Sequence, residues 1–577
     1  MLTRRIHIFI RSPENRNHSR ETGKREIMSK TNLITPKMSS EDILGILRET
    51  PGYFLTNNER DVSQSDFKNR ILPQTTLKVA PYRDETGYFA FEISGGASIH
   101  VDILKKQIDP FEKLRLVRRA MPNTLLQTVC RGANLFGYRH YPENVIRFTV
   151  RQFAKYIDVW RVYDFLNHVP NMIPVFEEVK NAGKILMPCI CFSTGPEHTD
   201  EFYVNKVKEI LDVTGTDIIL GIKNHSGLGS PRRIGQLVHA IKKAHPDLII
   251  QYHGHNTDGN DISRMCEAVM AGAKICEVSD HGFGGVYSQA PALTLIQVLN
   301  DYGHKAAGIK IQPLLDCSDT LRRERRYYEQ FESPFKGFDP TVRRHKMTGG
   351  AAGSSFEQAE KIGLLDRFHK IFDEIAKVLK ELGNFWATTP GSQILWTTAV
   401  SNVLHGRYER PSDDLKNLIL GRYGPFPFYD PQEWICEKVL EHQRTDKKKW
   451  HDIIATEGGL RPPKDVDIEA RRKQFEKVLG EPVDDEKLCL YLQYPYDTLS
   501  YFRFAKEYGK TWLLPPDVWF RKGGFKEGEC ISFQDYDGKT HKIEVISTRR
   551  EGNKVMTSLL VDHNFQTFTT ELREDLM

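Results

Sequence analysis

The sequence has no apolar run long enough to cross a bilayer, which removes a membrane span from consideration. It has almost no excess of charge either. Lys and Arg total 81 against 76 Asp and Glu, a net +5 over 577 residues, so electrostatics make no case for a nucleic-acid partner. Its nine cysteines lack the paired spacing of a zinc site. Cys189 and Cys191 share one apolar run, ILMPCICF, and read as reduced core residues of a cytoplasmic protein. No glycine-rich phosphate loop follows a first strand. The candidate GGAAGSS (349–355) comes after the charged DPTVRRHKM, so a dinucleotide-binding, doubly wound sheet is set aside.

What is present from Tyr53 onward is an alternation of short apolar strands with longer amphipathic stretches. The strands fall at 53–58, 88–94, 124–130, 158–164, 184–192, 217–223, 247–255 and 274–280. Segments such as PFEKLRLVRRA and RRIGQLVHAIKKAHP between them repeat apolar residues at helical spacing. Eight strands over roughly 230 residues is the count and size of an α/β protein with a (β/α)8 TIM barrel. The expected organisation is a barrel over 50–345, a helical extension over 346–480 that completes the active site, and a small β-rich domain over 481–577. The DYDGK turn within the last segment is a hairpin signal. Residues 1–45 are basic and polar, and read as a disordered or wrongly started extension. Glu14, Glu21 and Glu26 argue against a mitochondrial presequence.

The run LIIQYHGHNTDG ends an apolar strand in His253 and His255. Residues two apart on a strand share a side, so both imidazoles aim at one point, as a metal site needs. Lys223 ends the preceding strand, Asp61 follows the first and Arg131 follows the third. In a barrel all of these meet at the C-terminal mouth, where chemistry belongs.

Read with those residues, the chain resembles the carboxyltransferase component of the pyruvate carboxylase family. It is also similar to the matching subunits of oxaloacetate decarboxylase and transcarboxylase. The resemblance runs from about residue 50 to the C-terminus. Its carriers are Arg60-Asp61-Val62-Ser63-Gln64-Ser65, RGANLFGYRHYPENVI (131–146), DVWRVYDFLNHVPNM (158–172), KNHSG (223–227), HGHNT (253–257), GGVYSQAP (284–291) and TPGSQI (389–394). YGKTWLLPPDVWF and GKTHKIEVIS resemble the family's small tetramerisation domain.

The resemblance implies a divalent metal, zinc or manganese, held by Asp61, His253, His255 and a carbamylated Lys223. It implies Arg60, Arg131 and Gln64 as residues that hold a small 2-oxo acid. The implied reaction moves a carboxyl group between carboxybiotin on a separate carrier and a 2-oxo acid of the pyruvate/oxaloacetate type, through a metal-stabilised enolate. No Ala-Met-Lys-Met-like segment is present. The expected partners are therefore a biotin carboxyl carrier and a biotin carboxylase subunit, within a homo-oligomer.

The departures count as well. The family's Gly-Gly-Gln-Tyr-Thr-Asn, whose Thr relays a proton, aligns with a stretch that puts Gly353 in its place. Ser354, adjacent to it, is the candidate replacement. Two other readings stay open: a biotin-independent metal-dependent lyase or aldolase of the same barrel superfamily, and a non-catalytic scaffold paralogue of a carboxylase complex.

Overall fold

The computed structural model describes residues 33–571 apart from 334–335, 442–443, 521–525, 535–538 and 553. Eight parallel strands close a barrel in chain order. They are β1 (Phe54–Asn57), β2 (Ala90–Gly95), β3 (Leu125–Cys130), β4 (Val159–Val162), β5 (Ile185–Cys191), β6 (Ile219–Asn224), β7 (Ile249–Gly254) and β8 (Ile275–Val278). β1 pairs with both β2 and β8, which closes the cylinder. Every residue of β1, β2, β6, β7 and β8 is buried. A parallel sheet sheathed by helices has no solvent face, which is why these strands read as near-continuous apolar runs.

The helices between them start where the sequence supplies caps. Ser230 accepts from the Arg233 amide ahead of Pro231, and Thr199 accepts from Phe202. Gly215, at φ +70°, ends the helix Asp200–Thr214.

The N-terminal end of the barrel is sealed. Phe54, Ala90, Leu125, Val159, Ile185, Ile219, Ile249 and Ile275, the first residue of each strand, form one buried cluster with Ile34, Ile43, Leu44 and Leu47. Three of those four belong to the helix Ser40–Glu49. Residues 33–45 were expected to lie in a disordered extension and instead help to close the barrel floor; residues 1–32 lie outside the described part. The helix is ten residues long with three buried side chains, too short a pattern to stand out from the polar stretch before it. With the floor closed, the C-terminal mouth is the open end of the barrel.

Beyond the barrel the chain is helical as far as Trp519. The segment from 481, expected to be β-rich, opens with the helices Asp485–Gln493 and Pro495–Tyr508. Its strands begin only at β9 (Cys530–Gln534), followed by β10 (Thr540–Glu551), β11 (Lys554–Val561) and β12 (Asn564–Glu571) in one antiparallel sheet. β9 and β10 pair antiparallel, as the hairpin signal required, while residues 535–538 of its turn lie outside the described residues. No described helix is long and apolar enough to cross a membrane.

The helix Gly349–Lys361 packs against the helix Glu59–Asp66 at the mouth. Polar ties to barrel loops hold the segment before it. Ser226 Oγ donates to the Lys346 carbonyl (2.7 Å), Lys346 Nζ donates to the Thr194 carbonyl (2.6 Å), and Arg343 donates to Asp258 (3.0 Å). At the end of β2 the chain requires glycine. Gly95 has φ +102°, and a Cβ there would lie 2.2 Å from the Val129 carbonyl oxygen. The expected outcome of Gly95→Ala is a loss of about 1–3 kcal/mol, read as a lower melting temperature of the full chain.

Candidate metal centre

Asp61 owes its position to the chain's first turn out of the barrel. Asn58 caps the helix Glu59–Asp66, its side-chain oxygen accepting from the Asp61 amide (2.9 Å), so Asp61 sits over the mouth. His253 lies in β7 and His255 just beyond it. The three side chains meet: Asp61 Oδ2 is 3.2 Å from His255 Nε2 and 3.5 Å from His253 Nε2.

The imidazoles are already oriented. His253 donates from Nδ1 to Glu277 Oε2, and His255 donates from Nδ1 to the Tyr287 carbonyl (2.5 Å). Burial, aided by the charges of Arg161 and Lys223, holds the His253 pKa well below its ordinary value, so the ring is neutral. With its proton on Nδ1, the neutral His253 ring presents a lone pair at Nε2. The His253 Nε2 has no hydrogen-bond partner among the described residues. Burial alone would raise the Asp61 carboxyl, but the Arg60 guanidinium beside it (3.2 Å) outweighs that and holds it well below the usual carboxylate range. Three buried ligand atoms therefore face one another within reach of one point, which is the arrangement a divalent cation would satisfy.

Lys223, next to last in β6, lies in register with His253 on β7. It is buried, with Nζ 4.9 Å from the centroid of the Tyr163 ring. Burial, aided by repulsion from Arg161, brings its amine down to about 8.

A polar layer fills the barrel beneath this cluster, and sequence reasoning missed it. Glu277 on β8 accepts from His253, Asn58 Nδ2 (2.8 Å), Arg161 Nη1 (3.1 Å), Gln127 Nε2 (2.8 Å) and Gln251 Nε2 (2.5 Å). Glu92 on β2 accepts from Arg60 (2.7 and 2.9 Å), Arg161 Nη2 (2.8 Å) and Gln127 Nε2 (2.7 Å). Both glutamates are fully buried. The layer balances itself, two carboxylates against Arg60 and Arg161. A signal for it existed: FAFEIS, LLQTV, VWRV, IIQYH and ICEV each set one charged or amide residue inside an apolar strand.

The other expected site residues separate. Arg60, Gln64 and Arg131 line a cleft of about 420 Å³ together with Asp61, Lys223 and His255. Arg60 is committed to Glu92, and its Nη1 donates to Gln64 (3.2 Å). Arg131 uses Nη1 to bond the carbonyls of Phe136 and Gly137 (2.9 and 2.8 Å). Gly96 leaves the gap between these groups open: a Cβ there would lie 3.0 Å from Gln64 Oε1 and 3.8 Å from Arg131 Nη2.

Ser354 does not reach the cleft. It is exposed, donates to the Gly350 carbonyl of its own helix (2.5 Å), and lines an adjoining cavity of about 1060 Å³. Gly353 lines that outer cavity too, with only Ser333 Oγ, at 4.0 Å, near where its Cβ would be. Two hydroxyls that sequence reasoning passed over, Thr348 and Thr389, line both spaces. The cleft is also lined by His225, buried and neutral, its pKa pushed well down by burial and by Lys223.

A closed parallel barrel whose C-terminal mouth carries an Asp–His–His cluster beside a buried lysine is a barrel enzyme with a candidate metal site. Residues 165–321 match the HMGL-like family, and residues 342–544 match a conserved carboxylase domain. The chain is 30% identical to the methylmalonyl-CoA carboxyltransferase 5S subunit of Propionibacterium freudenreichii, over 78% of this chain and 86% of that protein. It is 28% identical to the 2-oxoglutarate carboxylase large subunit of Hydrogenobacter thermophilus, over 86% and 76% of the two chains. The carboxyl transferase domain of Rhizobium etli pyruvate carboxylase, solved with pyruvate and biocytin, superposes with a TM-score of 0.84 at 26% identity, covering 93% of this chain and 92% of that one. The chain spans about half the length of some other relatives, 45% of the Bacillus subtilis pyruvate carboxylase. It belongs to the pyruvate carboxylase carboxyltransferase family.

Replacing Glu277 by Gln removes the charge that orients His253 while keeping its shape. The expected result is divalent-cation affinity weaker by about 10–100-fold, measured by chelator competition.

Proposed function

We propose that the chain is the carboxyltransferase subunit of a biotin-dependent carboxylase complex, moving a carboxyl group between carboxybiotin on a separate carrier and a 2-oxo acid. The observation that carries this reading is the convergence of Asp61, His253 and His255 on one point, in a cleft that also exposes Arg131, Gln64 and Lys223. Zinc or manganese would be held by the three and by Lys223 in its carbamylated form. When bound, the cation polarises a 2-oxo group and stabilises negative charge on its oxygen.

The chain's own residues account for the rest. An amine brought down to about 8 carries a neutral fraction of about one tenth at pH 7, far more than an ordinary lysine, and only the neutral amine captures CO2 to become an anionic ligand. Arg131 is fixed by two carbonyls and offers the rest of its planar fork to the acid's carboxylate. Gln64 is held beside it by Arg60.

The proton leaving the acid's carbon needs an acceptor within the cleft. Gly353 has none, and Ser354 is bonded within its helix. Thr348 accepts from the Ala351 amide (3.1 Å), and no described residue takes its hydroxyl proton, so with Thr389 it fits a relay that takes the acid's proton while passing its own to the biotin that has released CO2. The missing hydroxyl at Gly353 is also the observation that favours a biotin-free lyase or aldolase.

The test incubates the metal-loaded full chain with oxaloacetate, with and without a biotinylated carrier. Carrier-dependent decarboxylation is expected, and Thr348→Ala should slow it by about 100-fold with metal content unchanged. Metal retained without any carrier dependence contradicts the reading. Lys223→Ala should lose both metal and activity.

A further inference from the structure

The helix Glu59–Asp66, which carries Asp61 over the mouth, ends in a second carboxylate. Asp66 is 7% exposed and makes no ion pair among the described residues. Arg325, whose charge favours its ionised form, is bonded instead to Glu332 (2.6 Å) and to the Phe283 carbonyl (2.9 Å). Burial pushes the Asp66 carboxyl up to about 6, so at neutral pH it is mostly ionised and the fold bears the cost of an unpaired buried charge. An apolar side chain would fill the same space without that cost.

What the carboxylate does is hold one loop. Oδ1 accepts from the Tyr287 amide (3.0 Å) and Oδ2 accepts from the Ser288 hydroxyl. Both residues lie in the segment that follows β8, and their carbonyls lead back to the candidate metal ligands. The Tyr287 carbonyl accepts from His255 Nδ1 (2.5 Å), and the Ser288 carbonyl accepts from the amide of Asn256, the residue after His255 (2.8 Å). The next residue, Gln289, donates to Asp61 Oδ2 (3.3 Å) and to the Gly254 carbonyl (3.2 Å).

These bonds form a closed circuit. Asp66 ties helix to loop, Tyr287 ties loop to His255, and Gln289 ties loop to Asp61 on the helix where the circuit began. The direction of the His255 ring is therefore referred to the same rigid element that carries Asp61.

We propose that Asp66 is a positioning residue of the metal centre: it sets residues 287–289 against its own helix and, through Tyr287 and Gln289, fixes the aim of His255 at Asp61. The inference rests on the metal-dependent carboxyltransferase reading and adds to it a residue that itself touches no ligand.

Cobalt(II) is the probe, because its visible absorption reports the geometry of its ligands and no substrate or carrier is needed. Chelator competition on the full chain measures its affinity. Asp66→Ala should weaken cobalt binding by about 10–100-fold and shift the visible bands of the bound ion. Asp66→Asn keeps an acceptor for the Tyr287 amide and donates to Ser288 Oγ, so its affinity should stay within about threefold of the unaltered chain. Ser288→Ala removes one of the two ties without touching the helix; it should weaken binding by about 3–10-fold, and it carries the test if Asp66→Ala does not fold. Leu237→Ala, buried in the helix Pro231–Ala244 away from the mouth, should lower the melting temperature and leave cobalt affinity unchanged. Unchanged affinity in Asp66→Ala, or in Ser288→Ala where the former does not fold, overturns the proposal. So does Asp66→Asn weakened as much as Asp66→Ala, since the charge and not the two bonds would then be what counts. An equal loss of affinity in Leu237→Ala overturns it too, because stability alone would account for the effect. If the unaltered chain binds no cobalt, it is the metal-dependent reading that has failed, and the role of Asp66 falls with it.

Discussion

The Glu277 carboxylate is the interaction on which the site depends. It gathers five donors from three other strands and one loop, Asn58, Gln127, Arg161, Gln251 and His253, inside a barrel that excludes water. Burying an ion costs several kcal/mol unless its lone pairs are satisfied, and here they are. Its bonds reach strands on opposite sides of the barrel, so they tie the cylinder together at mid-height. One of the five donors is an imidazole, so the same carboxylate fixes the tautomer and direction of His253. Structural and chemical demands coincide in one side chain, and Glu92 repeats the pattern beneath Arg60.

That layer gives the mouth its electrostatic character. Arg161 neutralises the buried glutamates and at the same time helps to keep His253 neutral and to lower the Lys223 amine. Asp61, in contrast, stays ionised beside the Arg60 guanidinium. Neutral nitrogens, one carboxylate and one reactive amine thus share a cleft that opens into a more cationic cavity. An anionic ligand is concentrated at that entrance.

Much of this was legible in the sequence, because strand ends carry both the architecture and the ligands. The eight apolar runs, the His253/His255 spacing and the placement of Asp61 and Lys223 at other strand ends survive in the folded chain. What escaped notice depends on three-dimensional closure. Glu92, Gln127, Arg161 and Glu277 sit singly on strands, and only the barrel makes them neighbours. The helix Ser40–Glu49 looked like part of a polar tail because its partners are the first residues of eight separate strands. Ser354 was chosen for being next to Gly353, but its hydroxyl bonds the Gly350 carbonyl of its own helix and lines the outer cavity instead of the cleft.

The most direct test of the central claim, that Glu277 and Tyr287 hold two imidazoles ready for a cation beside Asp61, is X-ray absorption spectroscopy of the zinc-loaded full chain. A shell of nitrogen and oxygen at about 2.0–2.1 Å with the multiple scattering of two imidazoles is predicted. A sulfur shell at about 2.3 Å, or one without imidazole scattering, would contradict it.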